Sequence, residues 1–428
     1  MSVFNLNAAA VSKLFNEYIL PGVQDELYHN TKLYGRWGDA NTKDCYGTYA
    51  VFKCMTAAAK SVRPSSSSTF PTAKQGTYDQ FRLYMKRALY ASLQFDNFSI
   101  ACSKGQGAVT DVVKQEVEGI MIQAGNKLNR QFWGDGSGRL ATINGAVSNS
   151  TSVEVDGPYF GQDSNWYTNP ANYLDEGQQV DIYDTSGNLE AEDVEITTIL
   201  DNGDGTATLT MAEAVTCSDN SYFFDHDTYA ASQVAGTGVP MGLRGIINTA
   251  DPYTGITETA FQNVDRDTYK WARAQTVAMG SVAVTNRKIL ETIQKVDKFG
   301  RVEVIFCNEP IWNSYYENLE TDKTMPNEKD MWGGLTGLYF YGGKKGAIPI
   351  LSDSDCPDNT MFMFDDKILK VYSPTKTGMM WLPGDSGNIL SQVQGKDEKS
   401  ANLLWYSNFG SPKPQALGYL SAIKHSSS

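Results

Sequence analysis

Histidine is scarce in this sequence: only His29, His226 and His425 occur in 428 residues. Imidazole-based acid–base or nucleophilic chemistry is therefore poorly supplied. Cysteine is thin and scattered, at Cys45, Cys54, Cys102, Cys217, Cys307 and Cys356, with no C-x-x-C pair. That spacing reads as buried free thiols in a reducing compartment, with disulfides or a zinc site as the alternatives. No run of about 18 apolar residues exists, so no segment could span a bilayer as a helix. The first residues, Met1-Ser2-Val3-Phe4-Asn5, lack the basic and apolar stretches of a signal peptide. Basic residues are outnumbered, 36 against 49, for a net charge of −13. A protein built to grip nucleic-acid phosphate needs the opposite balance. An acidic balance is common and by itself selects no function.

Catalytic motifs are equally sparse. There is no G-x-S-x-G, no H-E-x-x-H and no kinase set. Gly134-Asp135-Gly136-Ser137-Gly138 follows a helical pattern rather than a strand, so it is not a dinucleotide turn. Gly342-Gly343-Lys344-Lys345-Gly346 lacks Walker spacing and leads into a strand. Asp365-Asp366 and Asp353 with Asp355 are paired carboxylates at strand ends, expected as solvated turns. No metal or cofactor is expected, and the chain reads as a structural or binding protein.

What is present is a long helix, predicted from Thr110 to Trp133. Val109, Val112, Val113, Val117, Ile120, Met121, Ala124, Leu128 and Phe132 recur in steps of three and four, one apolar stripe. Thr110 is the expected N-cap and the following glycines are the stop. Before it, residues 1–47 read as an extended arm with a short amphipathic helix over 5–20. Residues 48–91 read as one long hairpin, its strands at Thr48–Val62 and 76–91 and its polar tip at 64–75. Two strands of about 14 residues would make a hairpin roughly 45 Å long. A hairpin alone is not stable in water, so it must lie on another surface. A neighbouring subunit is the economical cover, and an ordinary intramolecular sheet the alternative.

After the helix the composition changes to Thr, Asp, Asn and Gly. Alternating apolar residues, such as Val180 with Ile182 and Val194 with Ile196, predict a small all-β insert over 150–235. Asp201-Asn202-Gly203-Asp204-Gly205 resembles a calcium loop superficially but lacks the closing Glu, and a hairpin turn is favoured. Residues 265–370 turn to α/β character. Helices are predicted at Asp267–Gln275 and Thr285–Val296, a buried strand at Arg301–Cys307, and a helix opened by Asn308-Glu309-Pro310. Short strands follow at Leu335–Tyr341, Ala347–Leu351, Met361–Phe364 and Ile368–Tyr372, with closing strands over 376–424.

This order, with several stretches, resembles the major capsid protein of tailed bacteriophages, the Hong Kong 97 type fold. The stretches are Lys127 to Gly138, Pro240-Met241-Gly242-Leu243-Arg244-Gly245-Ile246, Ile305 to Trp312, Gly346 to Ile350 and Cys356 to Met361. The resemblance covers nearly the whole chain and implies an α+β fold. Its expected parts are an N-terminal arm (1–47), an extended hairpin loop (48–91) and a peripheral domain with a spine helix (92–145). The inserted β-domain (150–235) and a return segment (236–264) follow, then an axial domain (265–355) and closing strands (356–428).

The implied role is self-assembly into the hexamers and pentamers of an icosahedral phage head around double-stranded DNA, within the virion after assembly in the host cytoplasm. The implied partners are other copies, a portal, a scaffolding protein and decoration proteins, with DNA facing the inner wall and no membrane. The arm begins near residue 1, which implies a separate scaffolding protein or none. Assembly contacts are expected at Pro64, Phe70, Lys74, Arg82, Lys86, Lys344 and Lys345. Lys74 and Lys86 lie near the loop that some family members crosslink, but no partner Asn is identified. The competing reading is a glycan-binding or carbohydrate-active protein, with residues 150–235 and their aromatics as the module.

Overall fold

A computed structural model describes residues 33, 45–47, 49–58, 61–62, 70, 72–85, 88–96, 108–157, 170, 173–229, 239–247, 264, 266, 269–321, 329–331, 335–344, 346–374, 380–382 and 391–424. The arm over 1–47 and its helix over 5–20 therefore fall outside the described residues, apart from Leu33 and 45–47.

Strands β1 (Cys45–Tyr46), β2 (Tyr49–Ala57) and β3 (Thr77–Tyr84) form one antiparallel sheet. The β2–β3 register runs from Tyr49 opposite Tyr84 to Ala57 opposite Thr77. The hairpin is thus shorter than expected, about 30 Å of paired strand at 3.3 Å per residue. The predicted strand over 76–91 divides at Met85. Its second part becomes β4 (Ala88–Asp96), which leaves the hairpin to pair with a strand near the C-terminus. That pairing across some 300 residues overrides a locally continuous alternation.

Helix α1 (Ala108–Trp133) is the spine. It starts two residues before the expected cap, so Thr110 lies within its first turn. Met121, Ala124, Leu128 and Phe132 form its buried stripe, at the spacing that keeps side chains on one face.

A closed barrel follows, made of β5 (Arg139–Ile143), β6 (Val147–Asp156), β7 (Gln179–Tyr183), β8 (Leu189–Asp201), β9 (Ala207–Cys217) and β10 (Tyr222–Asp225). Its strand order is β10-β5-β6-β9-β8-β7. The insert therefore begins at 139 rather than 150, because β5 is needed to close it. Closure leaves no free edge, and alternate residues such as Val153, Val155, Ile182, Ile196 and Leu209 fill the interior. The 201–206 segment is the β8–β9 hairpin turn. Asp201 accepts the Gly203 N–H, and Gly203 and Gly205 take positive φ.

The return to the body is a backbone-on-backbone contact. Helix α2 (Leu243–Ile247) crosses the end of α1, and the Gly245 N–H reaches the Gly134 carbonyl. A Cβ on Gly242 would stand 2.3 Å from the carbonyl oxygens of Gln131 and Gly134. The glycines in this stretch are there for close approach.

The segment expected as the axial domain supplies most of a seven-stranded mixed sheet of order β11-β22-β16-β12-β15-β14-β13. In chain order its strands are β11 (Gln275–Val282), β12 (Val304–Cys307), β13 (Lys329–Met331), β14 (Leu335–Gly343), β15 (Gly346–Ser352), β16 (Met361–Phe364) and, at the far end of the chain, β22 (Gly418–Ile423). Helices α3 (Asn286–Val296) and α4 (Glu309–Thr321) pack on one face. The helix expected at Asp267–Gln275 is a single 3-10 turn at Lys270–Ala272 leading into β11, where Val277 and Met279 alternate inward. β16 and β22 belong to this sheet, so the axial region draws on the last quarter of the chain, beyond the expected limit of 355.

β12 is buried on both sides, as a central strand must be. Ile305 and Cys307 face the helices, with Ile289, Ile293, Ile311 and Tyr315. Val304 and Phe306 face the other way, onto the spine. The remaining strands are β17 (Lys370–Tyr372), β18 (Met380–Trp381), β19 (Ser391–Gln392), β20 (Glu398–Tyr406) and β21 (Asn408–Gly410). β20 is the partner of β4 and carries Trp405 to the spine. Phe132 stacks on Phe409 at 4.7 Å, while Trp133 meets Phe306 and Phe362 of the axial sheet. The end of α1 is thus the common wall of both bodies. A fully buried Phe such as Phe132 contributes about 1.5–3 kcal/mol by burial alone.

Candidate functional site: the hairpin and the spine junction

The hairpin has one covered face and one bare one. Ala50, Phe81 and Leu83 are buried, and Phe52 packs beside them. Phe52 lies 4.9 Å from the Tyr372 ring, and Phe81 meets Trp271 edge-on at 5.3 Å. Asn408 ties down the hairpin base. Its amide donates to the Tyr84 carbonyl at 2.7 Å, and its oxygen accepts the N–H of Met241 and of Phe409. The base is therefore covered by this chain itself, the alternative to the neighbouring subunit that the sequence made the economical cover.

The outer part is different. Met55 is 60% exposed, Tyr78 opposite it 74%, and Phe70 95%. Lys53, Lys74 and Arg82 are exposed on the same hairpin. Of the expected contact residues, Phe70, Lys74 and Arg82 are thus at the surface; Pro64, Lys86 and Lys345 lie outside the described residues. Lys344 is exposed too, and its ammonium donates to the Asp297 carbonyl at the end of α3, where a helix dipole favours a cation. Met55 and Tyr78 were missed from the sequence. Their period-2 position opposite Phe52 and Phe81 was the available signal.

A second cluster sits where α1, the barrel and the β15–β16 loop meet, around a cavity of about 70 Å³ lined by Lys127, Arg130, Trp133, Tyr173, Asp225 and Asp355 among others. Asn129 donates to Asp353 at 3.3 Å and to Asp355 at 2.5 Å. Arg130 donates to the Tyr173 carbonyl and lies 3.8 Å from Asp355. Lys127 pairs with Asp225 at 3.0 Å. Burial pushes the Asp353 carboxyl up to about 6, with the neighbouring Asp355 adding to it and Trp133 and Asn129 opposing it. The expectation of a solvated turn here is wrong: Asp353 is 3% exposed. Its carboxylate closes the turn by accepting the Asp355 N–H and is roofed by α1, which no local pattern encodes.

Neither cluster presents a nucleophile beside a base. Burial pushes the thiols of Cys217, Cys307 and Cys356 up, Cys217 to about 12, which makes them inert as nucleophiles. His226 holds Asp181 at 2.8 Å, and that hydrogen bond raises its pKa. Asp181 also accepts the N–H groups of Asp193 and Asp227, so the pair fastens the barrel rim. Among the described residues, no group of three or more His, Cys, Asp or Glu could hold a metal ion. The insert's aromatics Tyr183, Phe224 and Tyr229 pack on one another, a packed β-domain rather than an open stacking platform.

A hairpin loop, a spine helix, an inserted β-domain and a mixed axial sheet define the Hong Kong 97 type fold of tailed-phage capsid subunits. The particular likeness is to the cyanophage A-1(L) capsid asymmetric unit, with TM-score 0.51 and 13% identity over 92% of this chain and 93% of that one. Looser likenesses are to the capsid of Myoviridae phage XM1 (TM-score 0.41, 8% identity, 90% and 89% covered) and to Mycobacterium phage Patience (0.41, 8%, 100% and 91%). The fold assignment rests on the cyanophage subunit. No protein-family model and no curated protein matches the sequence.

Proposed function

We propose that this chain is the major capsid protein of a tailed phage, a structural subunit whose copies form hexamers and pentamers around double-stranded DNA. The observation that carries this is the fold likeness to a capsid subunit over nine-tenths of both chains. The half-covered hairpin supports it, since its outer face offers apolar and cationic side chains to another molecule. Many weak contacts multiplied by symmetry would hold the shell, and each would gain order from its neighbours. The net charge of −13 suits a wall that does not trap packaged DNA by phosphate attraction. A portal, a scaffolding protein and decoration proteins are the further partners of this reading, and the virion its location.

The test is sedimentation and negative-stain electron microscopy of the purified chain, alone and co-expressed with a scaffolding protein. Capsomers or shells are expected. A monodisperse monomer at high concentration under both conditions overturns the reading. Deleting residues 64–75 should leave a folded subunit that no longer closes shells.

A further inference from the structure

The chain's charge is divided very unevenly. Residues 139–229, the barrel, hold 17 of the 49 acidic residues and a single basic one, Arg139. Residues 48–91, the hairpin, hold seven lysines and arginines against one acid, Asp79. The barrel alone therefore exceeds the net negative charge of the whole protein, and the hairpin is its opposite.

Four of these carboxylates, Glu154, Asp156, Asp204 and Asp219, lie near one another on the barrel. Leu200, Thr208 and Glu154 lie in one row across β8, β9 and β6, and Leu200 is 64% exposed. Beside this row, the Asp156 carboxyl is pushed up by burial and then by the charges of Glu154, Asp204 and Asp219 around it. The hydrogen bonds that hold these groups come from neutral donors. Asn144 donates to Glu154, Thr206 to Asp204 and the Gly145 N–H to Asp219. Arg139 is engaged elsewhere, its guanidinium 4.0 Å from the centre of the Tyr222 ring. The result is a carboxylate cluster with an apolar residue at its side and no cation supplied by its own barrel.

The hairpin's bare face is the chemical complement. By register, Lys53, Met55, Tyr78 and Arg82 share one face, with Lys74 beyond them. Both partners offer the same mixture, charge flanking an apolar contact, with opposite signs.

We propose that this hairpin face docks on the carboxylate cluster around Asp156 of the barrel of an adjacent copy. The hairpin's other face is already committed to Tyr372 and Trp271 of its own chain, so the outer face is the one left to present. A hairpin-to-barrel contact joins two different patches, a heterologous interface of the kind that closes rings. Its charges would set register and speed encounter, and added salt would weaken it. The proposal rests on the shell-assembly reading above, and its test separates the two.

DNA-free shells are assembled from an equal mixture of isotopically light and heavy protein and treated with a carbodiimide, which joins a lysine amine to a carboxylate only in direct contact. Mass spectrometry is expected to find Lys53 or Lys74 joined to Glu154, Asp204 or Asp219 between light and heavy chains. In parallel, Lys53→Glu with Lys74→Glu and Arg82→Glu should raise the protein concentration needed for assembly at least tenfold. Glu154→Lys with Asp204→Lys and Asp219→Lys should do the same, and the two sets combined in one chain should restore assembly. Intact shells without those inter-chain links overturn the proposal and leave the capsid reading standing. So does a hairpin variant that forms empty shells normally and loses only DNA retention, which would assign the cations to packaged DNA. Wild-type protein that never associates overturns both.

Discussion

The two halves of the hairpin carry the same alternation and meet opposite fates. Near the base, Phe52, Phe81 and Leu83 point at Tyr372, Trp271 and the spine-side core. A few residues further out, Met55 and Tyr78 stand on the other face at 60% and 74% exposure. An apolar side chain is stabilising only where something excludes water from it. The base is therefore part of the chain's own stability, and the outer half is left exposed.

That contrast can be broken by mutation. Phe81→Ala, at the covered base, should lower the unfolding free energy of the isolated subunit by about 3–5 kcal/mol in a denaturant titration. A loss below about 1 kcal/mol would mean the base is not covered as described.

A second interior test is the carboxylate under the spine. Asp353 is raised from an unfolded value near 3.8 to about 6, so the folded state binds its proton more tightly. Its contribution is fully present below the unfolded value and is lost as pH rises through about 6. Between pH 4 and pH 6.5 that loss is about 2 kcal/mol. Asp353→Asn, which cannot titrate, should flatten this part of the stability–pH curve; an unchanged slope would reassign the effect.

Asn408→Ala removes three hydrogen bonds at the hairpin base, to the Tyr84 carbonyl and from the N–H groups of Met241 and Phe409. It should cost about 1–3 kcal/mol and speed hydrogen exchange at the Met241 amide before the barrel is affected. The smallest effect belongs to the outer half. Met55→Ser with Tyr78→Ser should leave subunit stability within about 0.5 kcal/mol while weakening association. If that pair unfolds the subunit as Phe81→Ala does, the contrast between the two halves is lost.

Much of the fold was legible. The stripe on α1 from Met121 to Phe132, the strand expected at Arg301–Cys307 and found at Val304–Cys307, the helix opened by Asn308 and the glycine-rich stop after α1 are local features that the sequence marked. What failed were boundaries that depend on distant partners. β4 looked like the end of the hairpin because its alternation runs on without a break. β11 was missed because nothing local marks it as the parallel neighbour of β22, more than 130 residues away. For the candidate site, Phe70, Lys74 and Arg82 lie at the surface, while Asp353 is buried where a solvated turn was expected.

The sequence alone determined the local grammar: periodicity, turns and the charge division between hairpin and barrel. These depend on neighbours within one or two turns of chain, where backbone geometry and side-chain spacing act directly. Only the tertiary structure decided which strands pair, which face of the hairpin is covered, and that one carboxylate of a surface-like turn is roofed by the spine helix. Those outcomes follow from burial and shape fit between segments far apart in the chain, and a local pattern carries no record of what will be packed against it.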